Sequence, residues 1–222
     1  MVIWKNRNFR DLGIIVEYLP KISKAKKKID IYEVEGRNGF LSIDKGVYEP
    51  FSLNIECHCK DSVNLDEIKE YLDGYGKISF DGLREYSAII DNTIPFEQVQ
   101  NFKKFQVSFK VNPIAEDITA TTIDLLSENE FDIEAYYDIS PVLTIECSGY
   151  ISININNQIF YLNDTDGVYT LDCKNKVIYD SNNNNCANLM QNDFPTFING
   201  TNTVETTGTI TSFSASYKKT YL

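Results

Sequence analysis

Apolar and polar residues alternate most regularly over Phe51–Lys60, where the odd positions are apolar or carry a thiol and the even positions are polar. A period of two residues predicts a strand with one buried face. The same period runs through residues 105–111, and we expect Pro113 to end that strand because proline has no N–H to donate to a ladder. Further β patterns occupy residues 12–18, 29–34, 77–80 and 84–91.

The period changes after Asn64. Leu65, Ile68 and Leu72 repeat at helical spacing, Asn64 is a favourable N-cap, and Gly74 follows as a stop. The pattern predicts one short amphipathic helix that packs on the antiparallel sheet of the N-terminal half.

The C-terminal half shows short β patterns separated by polar turns. Strands are predicted at 142–147, 150–155, 158–162, 168–173 and 176–179, with turns at 156–157, 164–167 and 174–175. Without a helical period, this half is predicted to be a small β-sandwich. The acidic segment 126–130 marks the boundary between an N-terminal domain, 1–128, and a C-terminal domain, 129–222. The predicted fold class is therefore mainly β.

Composition narrows the class of protein. Hydrophobic residues make up 42% of the chain and prolines number only 6, which is typical of a folded protein. No apolar run is long enough to span a bilayer and the N-terminus lacks the apolar stretch of a signal peptide, so we expect no membrane insertion and synthesis in the cytosol. The 5 cysteines, an odd number, are expected to be free thiols.

Charge argues against a nucleic-acid-binding protein. The formal net charge is -11, whereas affinity for phosphates comes from lysine and arginine. Residues 24–28 nevertheless form a basic run. Two interpretations stay open for it, a solvated loop or a patch that binds an acidic partner.

The residue types that carry chemistry do not form a recognisable site. Cys57, His58 and Cys59 include metal ligands, but alternation along a strand places His58 on the face opposite to the two thiols, which predicts buried cysteines. His58 is the only histidine, and no nucleophile, phosphate-loop or zinc-protease motif is present. We therefore expect no catalytic residue, no metal and no cofactor. A carboxylate pair among the 32 acidic residues remains the alternative to a solvated surface.

Aromatic residues offer a further alternative. A sugar-binding platform and a set of core or subunit contacts are the two interpretations for Trp4, Phe9, Tyr136, Tyr137 and Tyr150.

Two segments resemble signature segments of the distal tail protein family of long-tailed phages. The first is 34–39, with the turn Gly36, Arg37, Asn38 and Gly39, where an aspartate is commoner than Asn38. The second is 190–204, and its matching residues are Phe194, Pro195, Gly200 and Asn202. The segment 136–141 departs from the family, which has an asparagine and a glycine before Pro141.

The resemblance implies a structural virion protein and not an enzyme. It implies a galectin-like C-terminal sandwich and an N-terminal domain that forms a ring of six copies, assembled in the bacterial cytoplasm and incorporated into the tail of a phage or prophage. The expected partners are the tail tube protein and the tail-tip or baseplate proteins, including a tail-associated lysin and receptor-binding proteins. The alternatives are a carbohydrate-binding module and a tail-tip cell-wall hydrolase.

Overall fold

The computed structural model describes residues 1–33, 35–36 and 38–222. The chain forms two compact units, Met1–Glu116 with Leu222, and Asp117–Tyr221. Both consist mainly of antiparallel strands, which confirms the predicted mainly-β fold class. The division lies N-terminal to the predicted boundary at 128/129, because Thr121–Asp124 pair with the last long strand of the second unit. No helix in the described ranges has the length and apolar character needed to cross a membrane.

The N-terminal unit contains a sheet with the order β2-β1-β7-β8-β10-β6-β3, with β9 also paired to β10. The strands β4 and β5 pair only with each other in the described part of the chain. The elements are β1 (Ile3–Trp4), β2 (Arg7–Asn8), β3 (Ile14–Val16), β4 (Lys27–Glu33), β5 (Phe40–Tyr48), β6 (Phe51–Lys60), α1 (Leu65–Tyr71), β7 (Gly74–Ser79), β8 (Arg84–Ile90), β9 (Glu97–Val99) and β10 (Phe102–Asp117), with a 3-10 turn at Phe9–Leu12.

Strand β6 and the helix α1 follow the sequence pattern closely. The odd positions of β6 from Leu53 to Cys59 are buried, as alternation predicts. In α1 the Asn64 side chain accepts a hydrogen bond from the Asp66 backbone N–H at 3.1 Å, and Ile68 is buried in the core. Both predictions are confirmed, because a buried stripe and a cap are local signals.

The prediction that Pro113 ends its strand is wrong. Strand β10 continues to Asp117. Its ladder with β6 ends at the pair Val111 and Phe51, so Pro113 lies beyond that ladder. A proline beyond the ladder with β6 removes no hydrogen bond from that ladder, and the strand continues through the proline.

The C-terminal unit contains a sheet with the order β11-β17-β13-β14-β15, with β12 also paired to β17 and β16 to β14. The elements are β11 (Thr121–Asp124), β12 (Glu130–Ile133), β13 (Val142–Ile155), β14 (Gln158–Asp172), β15 (Val177–Asp180), β16 (Met190–Gln191), β17 (Gly200–Tyr217) and β18 (Thr220–Tyr221), with a 3-10 turn at Ala187–Leu189. One hydrophobic core, which includes Phe160, Phe197 and Phe213, joins the long strands.

Several predicted short strands are halves of longer ones. The turn predicted at 164–167 is wrong, because these residues lie inside β14 and 165–167 pair with Cys147, Ser148 and Gly149 of β13. The Thr165 hydroxyl donates to the Gly149 carbonyl at 2.7 Å beside the register shift of β13. By contrast, Asn156 and Asn157 form the predicted turn with φ values of 52° and 64°.

Candidate assembly surfaces

Strands β4 and β5, together called the arm, carry exposed apolar side chains on both faces. The register places Ile29, Ile31 and Phe40 on one face and Tyr32, Leu41 and Ile43 on the other. Their exposed fractions range from 44% for Ile29 to 64% for Phe40. A ribbon that is apolar on both faces cannot bury both against its own unit, so this surface is typical of an interaction site.

Exposed ion pairs accompany the apolar residues of the arm. Lys27 Nζ lies 2.5 Å from Asp44 Oδ2, and Lys45 Nζ lies 2.7 Å from Asp30 Oδ2. Hydrogen bonds donated by these lysines lower the pKa of both aspartates. Exposed pairs add little stability and an isolated two-stranded hairpin is marginal in water. The arm is therefore expected to gain order when another surface covers it.

The predicted Gly-Arg-Asn-Gly turn lies between the two strands of the arm. Gly36 and Gly39 have φ values of 77° and 97°, which side-chain-bearing residues rarely adopt. A Cβ at either glycine would meet no atom within 4 Å, so backbone conformation and not close packing favours glycine there. Asn38 is exposed, and Arg37 lies outside the described residues.

The C-terminal signature is organised around the buried side chain of Asn202, which has no exposed surface. Its Oδ1 accepts from Asn156 Nδ2 at 2.7 Å and from the Ile198 N–H at 2.9 Å. Its Nδ2 donates to the carbonyls of Ile198 at 2.9 Å and Gly200 at 3.0 Å. All four hydrogen-bonding positions of the amide are used, so Asn202 fixes the segment before β17 onto the turn after β13.

The other residues of this signature also make internal contacts. Pro195 is buried, Phe194 packs partly buried against the core, and Gly200 has a φ of 98°. Between them, Phe197 contacts Phe131 and Tyr217 edge to face, with centroids 5.1 and 5.7 Å apart. These contacts stabilise the C-terminal unit, and an assembly role for the signature residues stays a prediction.

The structure separates the Cys-His-Cys residues as alternation predicts. Cys57 and Cys59 are buried, and burial raises the pKa of the Cys57 thiol to about 12. His58 faces the other way, with Nδ1 3.3 Å from Glu17 Oε1. The three side chains therefore do not converge.

A second surface, called the acidic cleft, lies around Glu17. It has a volume of about 300 Å³ and is lined by Glu17, Glu56, Cys57, Pro95, Glu97, Lys104, Phe105 and Gln106. Lys104 Nζ lies 2.9 Å from Glu17 Oε1, and this hydrogen bond lowers the pKa of Glu17. In the register, Glu97 is opposite Lys104 and Glu56 is opposite Gln106. Strands distant in sequence thus bring three carboxylates and one ammonium group together.

The aromatic residues named above do not form one platform. Trp4 and Phe9 are buried in the N-terminal core, with exposed fractions of 0% and 1%. Tyr136 and Tyr137 contact each other, with centroids 5.1 Å apart. Tyr150 is exposed and stacks on Tyr161, with centroids 5.8 Å apart. A shared sugar platform is therefore wrong for this set, because two of its members fill a core.

Sequence reasoning missed the arm and the acidic cleft. The alternation in β4 and β5 predicts strands. The sequence signal that these strands form an exposed ribbon is the presence of apolar residues on both faces. The cleft has no local signal, because Glu17, Glu56 and Glu97 meet through the pairing of β3 with β6, of β6 with β10 and of β9 with β10.

Comparisons with known proteins give a fold and no sequence match. No protein-family model and no curated protein matches the chain. The crystal structure of the SPP1 Dit protein (gp 19.1), described as a paradigm of the hub adsorption apparatus in phages that infect Gram-positive bacteria, is similar with a TM-score of 0.79. The sequences are 10% identical, and the match covers 100% of this chain and 98% of that chain. The chain thus has the Dit-like fold along its whole length.

Proposed function

We propose that this protein is a structural component of a phage tail, a distal tail hub that joins the tail tube to the tail-tip or baseplate adhesion apparatus. The observation that carries the proposal is the similarity to SPP1 Dit over the full length of both chains. A match confined to one unit would have indicated only a shared module. Agreement across both units favours a shared role.

The proposed assembly is a closed ring, with six copies as the number that the family resemblance implies. Exposed apolar residues on both faces of the arm support self-association, because a symmetric assembly covers edges and apolar surface that a monomer leaves in water. The tail tube protein and the tail-tip proteins would then bind to this ring, within the virion tail.

Native mass spectrometry and negative-stain electron microscopy over a range of protein concentrations test the ring. Leu41→Asp in the arm should shift the protein towards monomers, because burying a carboxylate at a contact is unfavourable. The matched control is Leu83→Asp, since Leu83 is 71% exposed and lies outside the arm. Monomers of the unmodified protein at every concentration, even with tube or tip proteins added, would contradict the proposal.

A further inference from the structure

The segment that leads into the arm, residues 18–28 and here called the basic segment, holds five lysines and no acidic residue. Lys26 Nζ lies 3.4 Å from Glu49 Oε2, and Lys27 is paired with Asp44. The remaining three lysines, Lys21, Lys24 and Lys28, are exposed and form no ion pair among the described residues. These three lysines therefore have no direct ion-pair partner among the described residues, on a chain whose net charge is -11.

The acidic cleft carries an excess of negative charge. The Glu17 N–H donates to the Glu56 carbonyl at 2.9 Å, which holds these two residues side by side. Lys104 is paired with Glu17, whereas neither Glu56 nor Glu97 forms an ion pair in the part of the chain that the structure describes. The cleft thus has two carboxylates without a salt-bridge partner, and a basic group would complement them.

The basic segment does not neutralise the cleft of its own chain. It begins directly after Glu17 at the rim of the cleft, yet its exposed lysines form no ion pair with the cleft carboxylates among the described residues. Two different complementary surfaces on one chain are the requirement for a head-to-tail contact between copies. Such a contact closes into a ring when its rotation permits, and otherwise extends into a filament.

Exposed apolar residues at the start of the basic segment also favour a protein surface as its binding partner. Tyr18, Leu19 and Ile22 are 76%, 57% and 50% exposed. Small cations or a polyamine would neutralise the cleft without covering these side chains. A protein surface would do both.

We propose that Lys21, Lys24 and Lys28 of one copy bind the acidic cleft of the next copy, at Glu56 and Glu97, and so give the ring its direction. This inference rests on the proposed function, because it needs self-association. The lysines form charge-assisted contacts with the carboxylates, and the apolar residues beside them are buried in the same contact. Electrostatic complementarity of this kind selects the correct partner surface and speeds encounter.

Charge reversal in the full-length protein tests the contact. One variant carries Lys21→Glu, Lys24→Glu and Lys28→Glu, and a second carries Glu56→Lys and Glu97→Lys. Each alone should raise the apparent dissociation constant of the oligomer about tenfold or more, because like charges then face each other. The matched control, Glu130→Lys with Glu134→Lys, changes two exposed carboxylates that do not line the cleft and should assemble normally.

Mixing the two variants gives the decisive measurement. In an equimolar mixture every contact between unlike chains joins opposite charges, so native mass spectrometry should show closed oligomers with equal numbers of both chains in alternation. Combining all five substitutions in one chain should also restore assembly. Far-UV circular dichroism and Trp4 fluorescence establish that each variant is folded before mixing.

The outcomes separate this inference from the proposed function. The contact would be overturned if the lysine variant and the glutamate variant each assembled like the wild type. It would also be overturned if the two folded variants did not assemble when mixed. The tail-hub role would stand in both cases. Intact rings that lose only a tail-tip protein would place another partner in the cleft, and this also overturns the inference. Monomers of the unmodified protein under all conditions would contradict both.

Discussion

Asn202 shows how a single side chain explains a sequence signature. Its amide is buried and fully hydrogen-bonded to the Asn156 side chain and to the backbone of Ile198 and Gly200. The sequence marks this residue by resemblance only. Three of its four hydrogen bonds join the backbone of Ile198 and Gly200, and the fourth, with Asn156, depends on a tertiary contact between two turns. The burial of Cys57 and Cys59 and the outward direction of His58, by contrast, follow from alternation within one strand.

Asn202→Ala should lower the free energy of unfolding by about 2–4 kcal/mol, because it leaves several buried donors and acceptors without partners. Urea denaturation followed by far-UV circular dichroism measures the effect. Asn182→Ala is the control, since Asn182 is exposed and, among the described residues, hydrogen-bonds only through its backbone N–H, to Asp180. This variant should change stability by less than about 0.5 kcal/mol. Equal stability of the two variants would show that the Asn202 amide can be replaced.

Secondary-structure elements were predictable where one face of the element is buried along its whole length. The bounds of β6 agree with the alternation and α1 agrees with its cap and apolar stripe. No strand was predicted at the position of β17. The middle of this strand, 205–212, is largely exposed. Its buried positions also change from even numbers at Asn202 and Val204 to odd numbers at Phe213 and Ala215. Register shifts against β13 cause this change, and no local pattern reports them.

Gly208 lies at this irregular crossing of β17 and β13. Its φ is 109°, and a Cβ there would lie 2.5 Å from the Tyr150 carbonyl oxygen. Gly208→Ala should therefore lower the free energy of unfolding by about 2–3 kcal/mol through a backbone clash and an unfavourable conformation.

The matched control for this substitution is Gly149→Ala. Gly149 also has a positive φ, 78°, but a Cβ there would meet no atom within 4 Å. This variant should lose only about 1 kcal/mol, from backbone strain alone. Thermal and urea unfolding of both variants measure the difference, and equal losses would show that the clash is relieved by movement of the Tyr150 backbone.

At the scale of the whole molecule, the sequence predicted the fold class and the Dit-like fold, and both are confirmed. What it could not supply is the pairing of surfaces that are remote in sequence. The acidic cleft arises from the register of strands remote in sequence, and the proposed partners of the arm and of the cleft are other copies of the chain. Composition alone gives the net charge but does not locate the acidic residues.

The last prediction follows from this charge and from the proposed ring, whose channel would pass the phage genome. The 32 acidic and 21 basic residues give a net charge of -11. A wall that bound phosphates would retain DNA, whereas an acidic wall repels it. We therefore expect acidic residues to outnumber basic ones on the inner surface of the ring, and we expect the protein not to retain duplex DNA at about 0.15 M salt.

Fluorescence anisotropy with labelled duplex DNA, measured across a salt series, tests this. Salt-sensitive binding that Lys24→Glu with Lys28→Glu abolishes would instead identify the basic segment as a DNA-binding patch, because release of counterions accompanies lysine–phosphate contacts.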